Sequence, residues 1–168
     1  MSTQLSTDDL IARHKAYLPS HQPIPTFADL GAVGKIPHIM VVTCADPRCI
    51  PENFLGLNTG DALIIRNAGA NLQTALPSVL AIDTLLGIDE IMVVKHTDCG
   101  SQMFTNDGVK AALCKRAPDK KEEIEKMEFG SIAGKTLEQG LKEQVSRLTG
   151  DTLKGCLGKP LTLTPIVV

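Results

Sequence analysis

The apolar positions of this chain fall into short unbroken runs in its first half, with helical stripes between them. Ile39–Val42 is continuous and apolar, and it leads through Thr43 to Cys44. Such a run suits a strand buried on both faces of a parallel sheet better than a half-exposed one. Ala62–Arg66 and Glu90–Lys95 read as two further strands. Between them the pattern predicts a short helix over Ile50–Leu57, with Pro51 in its first turn, then a turn at Asn58–Asp61. A second helix is expected from a Thr74 cap to Leu86, with Pro77 in its first turn, Val79, Ile82 and Leu86 as its stripe, and Gly87 as its stop. Strand, helix, strand, helix, strand argues for an α/β fold with a parallel sheet and crossover helices.

The ends carry less of this signal. Ser6–Leu18 predicts an amphipathic helix, capped by Ser6 or Thr7, with Asp8 and Asp9 at the positive end of its dipole. The three prolines of Pro19–Pro25 separate it from the body, so residues 1 to about 25 read as a helical arm on a single domain of residues 1–168. That arm either folds back on its own domain or covers a partner subunit. Asp107–Arg116, Asp119–Met127 and Thr136–Leu148 predict helices; the second is a charged, solvated face and the third is weakened by Gly140. Leu161–Val168 predicts a last strand, which Pro165 places at an edge or a bend.

Length and composition narrow the classes. At 168 residues the chain can bury a substantial core. A net charge of −2 without a basic block gives no nucleic-acid footprint. The apolar runs are too short to span a bilayer. A polar, acidic start (MSTQLSTDDL) predicts no signal peptide and a cytoplasmic protein. In that setting the five cysteines read as thiols or ligands and not as disulfides.

Two strand ends carry the chemistry. The first gives C-x-D-x-R: Cys44, Asp46 and Arg48. On an extended backbone Asp46 and Arg48 project to the same side and pair. The second gives H-T-D-C-G, with His96, Cys99 and Gly100. An H-x-x-C pair alone is commonly a structural His beside a buried thiol, and an Asp–Arg pair alone is commonly a salt bridge. Together, each following a buried strand, they favour a three-ligand zinc site of Cys44, His96 and Cys99, its fourth position open to water or to Asp46.

Cys44-Ala45-Asp46-Pro47-Arg48, then Gly60–Gly69 (GDALIIRNAG), then His96-Thr97-Asp98-Cys99-Gly100 resemble, in order and spacing, the signature blocks of the β-class carbonic anhydrases. The resemblance is strong over residues 36–104. It implies a parallel four-stranded sheet with flanking helices and a further edge strand. It also implies one Zn2+ per subunit on Cys44, His96 and Cys99, and Asp46 and Arg48 as a catalytic dyad. Asp46 would become the fourth ligand in a closed form, and Arg48 would hold it away in the open one. Zinc lowers the pKa of bound water towards about 7, as in carbonic anhydrase itself, so hydroxide is available near neutral pH.

The implied reaction is reversible hydration of carbon dioxide to bicarbonate by attack of zinc-bound hydroxide. Ile65, Val79 and Leu80 would wall an apolar pocket, and the Gly100 amide would hold a substrate oxygen. The same site serves an alternative, hydrolysis of carbonyl sulfide to carbon dioxide and hydrogen sulfide, with carbon disulfide a more distant third. A non-catalytic zinc-binding domain is the remaining reading, against which Asp46 and Arg48 speak. The implied partners are a small-molecule substrate and further copies of the chain, as a homodimer or homotetramer, with no nucleic acid and no membrane. Cys49 reads as a buried or spare thiol, and His14, His21 and His38 as exposed side chains. With no Trp and one Tyr, the bicarbonate inhibitory pocket of some family members is not expected.

Overall fold

The computed structural model describes residues 4–147, Cys156 and 162–167, with Arg147 and the last six as backbone alone. The chain divides into two compact units, Met1–Gly34 and Lys35–Val168. The first holds helix α1 (Thr7–Tyr17), a single 3₁₀ turn and helix α2 (Phe27–Ala32). Both helices begin on a capping box. Ser6 accepts from the Asp9 amide while Asp9 reaches back to the Ser6 amide, and Thr26 and Asp29 repeat the arrangement. No element is expected from the sequence over the stretch that forms helix α2. None of the described residues of this unit is buried.

The second unit is built on a fully parallel four-stranded sheet: β1 (Ile39–Cys44), β2 (Leu63–Asn67), β3 (Glu90–Lys95) and β4 (Thr162–Val167), in the order β2-β1-β3-β4. The fold is α/β, as expected. β4 lies at an edge, where the missing amide of Pro165 breaks no further ladder. A fifth strand does not occur among the described residues. Helix α3 (Pro51–Phe54) is shorter than the expected Ile50–Leu57.

Helix α4 (Leu72–Leu86) is capped by Asn71, not Thr74, and ends on Gly87. Pro77 therefore sits inside the helix and not in its first turn, where it removes the bond the Gln73 carbonyl would accept. Helices α5 (Asn106–Arg116), α6 (Lys121–Glu125) and α7 (Leu137–Arg147) follow. α6 exposes all its charges and buries only Ile124.

The period of two along the strands sorts the core. Met40, Val42, Ile91 and Val93 join Leu72, Ala75 and Val79 of α4 and Leu141 of α7 in the main cluster. Val41, Thr43 and Val94, of opposite parity, are also buried, so β1 and β3 are covered on both faces. Each such aliphatic side chain contributes about 1.5–3 kcal/mol of burial. Gly140 of α7 is a close-approach position more than a weak point: a Cβ there would lie 2.6 Å from the Ile132 side chain.

Strand order then fixes where chemistry can occur. The chain runs from β1 outward to β2, then crosses back to β3 on the other side of β1. Between the carboxyl ends of β1 and β3 the connections leave in opposite directions, which opens the crevice used by parallel α/β sheets. Cys44 ends β1, and His96 follows β3.

Candidate metal centre and its acid–base pair

The metal-binding atoms of Cys44, His96 and Cys99 all lie within 4.8 Å of one another, and all three residues are buried. The two sulfurs are 3.9 Å apart. His96 Nδ1 stands 2.8 Å from the Thr97 carbonyl, which can only accept, so Nδ1 carries the proton. That leaves Nε2 as the ring's ligand atom. Among the described residues Nε2 is the buried side-chain polar atom without a hydrogen-bond partner. A buried unpartnered acceptor costs free energy unless something binds it. Two thiols and an imidazole fit a zinc ion, a borderline-soft cation with N and S ligands. The Asp46 amide lies 3.4 Å from the Cys44 sulfur, and the Ser101 hydroxyl lies 3.2 Å from that of Cys99.

Asp46 and Arg48 do pair, although not on extended backbone. A tight turn brings the Cys49 amide to the Asp46 carbonyl at 2.9 Å. The Arg48 amide and Nε then both donate to Asp46 Oδ1 at 2.9 Å, and Nη2 donates to Oδ2 at 2.8 Å. These bonds, the guanidinium's first and the amide's second, hold the Asp46 carboxyl well below the usual carboxylate range. Asp46 Oδ2 is 4.0 Å from His96 Nε2, so the carboxylate stands at the mouth of the three-donor cluster.

Gly100 opens a 3₁₀ turn directly after Cys99. Ile65, Val79 and Leu80 do not wall this site. Val79 of α4 belongs to the main core cluster, and Ile65 of β2 and Leu80 of α4 pack against it. Buried with Cys44 and Cys99 are Ile132, between two of the expected helices, and Leu137, at the start of the last one. A cavity of about 370 Å³, lined by Asn71, Glu128, Ser131, Ile132, Lys135 and Gln144 among others, adjoins them through Ile132. Cys49 is buried with its sulfur 2.8 Å from the Thr43 hydroxyl, and His14, His21 and His38 are exposed.

The family model described as Carbonic anhydrase matches residues 39–151. The chain belongs to the β-carbonic anhydrase family. Beta-carbonic anhydrase 1 of Mycobacterium tuberculosis is 37% identical over 109 residues, covering 64% of this chain and 63% of the relative. The carbon disulfide hydrolase of Saccharolobus solfataricus is 40% identical over 72 residues, covering 42% of this chain and 35% of the relative. The chain thus spans less than two thirds of the length of either. The crystal structure of carbonic anhydrase from Streptococcus mutans superposes with a TM-score of 0.74 at 26% identity, covering 98% of this chain and 93% of that one.

Within this β-carbonic anhydrase scaffold, several residues that the motifs did not single out support the site. Arg66 donates from Nε to the Cys44 carbonyl at 3.0 Å and from Nη2 to the Asp46 carbonyl at 2.7 Å, so β2 fixes the backbone that carries both. Asn67 accepts from the Ala45 amide through its carbonyl. Gly69 has φ of +71°, and a Cβ on it would lie 2.6 Å from Ser101 Cβ, so the second block can touch the third only as glycine. Lys95 is buried and donates to the Gly69 carbonyl. Burial pushes its pKa down, opposed by Cys99 and Cys44. These ties are between strands, so no local spacing announces them. No described helix is long and apolar enough to cross a membrane.

Proposed function

We propose that the chain catalyses the reversible hydration of carbon dioxide to bicarbonate, with one Zn2+ per subunit held by Cys44, His96 and Cys99. The observation that carries this reading is the buried, unpartnered Nε2 of His96, grouped with two thiols and with an arginine-held carboxylate at its edge. When bound there, zinc supplies a water acidic enough to lose its proton near neutral pH. The chain's own residues do the rest. Asp46 stays ionised beside Arg48, so it acts only as an acceptor; it takes a hydrogen bond from the attacking oxygen and turns a lone pair to the substrate carbon. Arg48 keeps the carboxylate charged and placed, and Asp46 can itself complete the ligand set when it is let go. The Gly100 amide holds a substrate oxygen.

Stopped-flow hydration of carbon dioxide on zinc-loaded protein, at mildly alkaline pH, tests the reading. Turnover that disappears in Cys44→Ser supports it; negligible turnover with zinc bound overturns it. A second reading, hydrolysis of a sulfur heterocumulene at the same site, is favoured by the identity to a carbon disulfide hydrolase. It places carbon disulfide beside carbonyl sulfide as a substrate to assay. We further read the chain as a cytoplasmic homodimer or homotetramer. Its exposed Leu10, Ile11, Phe27, Val33 and Met103 would gain from burial in an assembly, and sedimentation velocity measures it.

A further inference from the structure

Asp98 adopts a backbone that its residue type disfavours. Its φ is +54°, and among the described non-glycine residues only Ala70 shares that region. An L-residue there is strained by about 1 kcal/mol, though a short polar side chain lowers the cost. The strained residue lies between His96 and Cys99, and this conformation aims two of its acceptors at one guanidinium. Asp98 Oδ2 accepts from Arg48 Nη1 at 2.9 Å, and the Asp98 carbonyl accepts from Nη2 at 3.2 Å. The same guanidinium grips Asp46 through Nε and Nη2 on its other side.

Stability does not account for this arrangement. The Asp98 and Arg48 side chains are 80% and 60% exposed, and so open a pair adds little to folding. What the pair does fix is direction. A guanidinium offers its donors in a rigid plane, and two-point gripping of a carboxylate needs that plane aligned. Held on one side only, Arg48 could swing on its long side chain. Asp46 would then be free to move the short distance towards His96 Nε2, now 4.0 Å away. Carboxylate oxygen is a good zinc ligand in its own right. The position that a small ligand must enter and the position that Asp46 can occupy therefore coincide.

We propose that Asp98 is a positioning residue: by anchoring the far side of the Arg48 guanidinium it keeps Asp46 off the Cys44–His96–Cys99 centre and so keeps that centre accessible to small ligands. This rests on the reading that the three residues hold a metal. Asp98 acts through Arg48, the residue its carboxylate and carbonyl both bind.

The test is a binding cycle on cobalt(II)-loaded protein, with thiocyanate as the probe and the visible spectrum as the readout. Asp98→Gly is the informative variant, since glycine keeps the left-handed backbone and its carbonyl while removing the carboxylate. Asp98→Asn keeps the shape and removes the charge. Both should weaken thiocyanate binding, Asp98→Gly by about threefold, the scale of an exposed ion pair. In an Asp46→Asn background, where the competing carboxylate is gone, the same variants should have no effect. Equal loss in both backgrounds, or no loss in either, overturns the inference while the metal reading stands. A chain that takes up no cobalt overturns both. Carbon dioxide turnover does not enter the readout, so failure of the hydration reading is seen separately.

Discussion

The two buried clusters of the sheet unit differ in what holds them. The main one is aliphatic, built from Met40, Val42, Leu72, Val79, Ile88, Ile91 and Val93 among others. The smaller one gathers Cys44, Cys49 and Cys99 with Ile132 and Leu137, beside the unpartnered His96 Nε2. Both are buried, yet only the second has an unpartnered polar atom beside it. Dispersion and burial account for the first, whereas the second holds polar atoms whose burial is repaid only by a ligand. One strand serves both: β1 delivers Met40 and Val42 to the first and Cys44 to the second, so a single parity rule supplies scaffold and chemistry.

Substitutions should separate the clusters. The largest effect belongs to the thiols. Cys99→Ser should reduce bound zinc from about one per chain to near zero by elemental analysis, while the metal-free protein unfolds at an almost unchanged denaturant midpoint. If zinc stayed bound, the second cluster would be ordinary core and the contrast would collapse. Asp46→Asn should keep the zinc and lower kcat for hydration by at least about a hundredfold, the worth of a positioned proton acceptor.

On the aliphatic side, Ile91→Ala should cost about 2–5 kcal/mol in urea unfolding through its cavity, with zinc content per folded chain unchanged. The smallest effect lies outside both clusters, at the α1 cap. Hydrogen bonds from the Ser6 hydroxyl and amide lower the Asp9 pKa below its ordinary 3.8. The cap therefore supports α1 above that pH and is lost as pH falls through the lowered value. Ser6→Ala should raise the Asp9 midpoint, followed by NMR, part of the way towards its ordinary value, since the residue 6 amide still donates, and leave both clusters untouched.

How much of this was legible follows from how local each signal is. The β1 and β3 boundaries, Cys44 and the His96–Cys99 pair could be read because a buried parallel strand is a contiguous run and its ligands follow it directly. The cap of α4 was harder. Asn71 and Thr74 are both good caps, and the choice depends on Asn67, whose amide group donates to both the Asn71 carbonyl and the Thr74 hydroxyl. The grip of Arg66 on Cys44 and Asp46, and of Asp98 on Arg48, joins residues 20 or more positions apart. Arg66 and Asp98 stood inside two of the matched blocks, but nothing local named their partners. Ile132 and Leu137 reach the thiols only because a loop returns through the Ile132 amide to the Ser101 carbonyl.

The pairing of β1 with β3 also sets a timetable. Cys44 and Cys99 are 55 positions apart, with all of β2 and α4 between them. No fragment that stops before β3 can assemble the donor set. Closing that long a loop must precede any reward from the contacts it makes, the usual reason that parallel sheets fold slowly. A nascent chain therefore offers the complete donor set only after its third strand has been made and paired with the first.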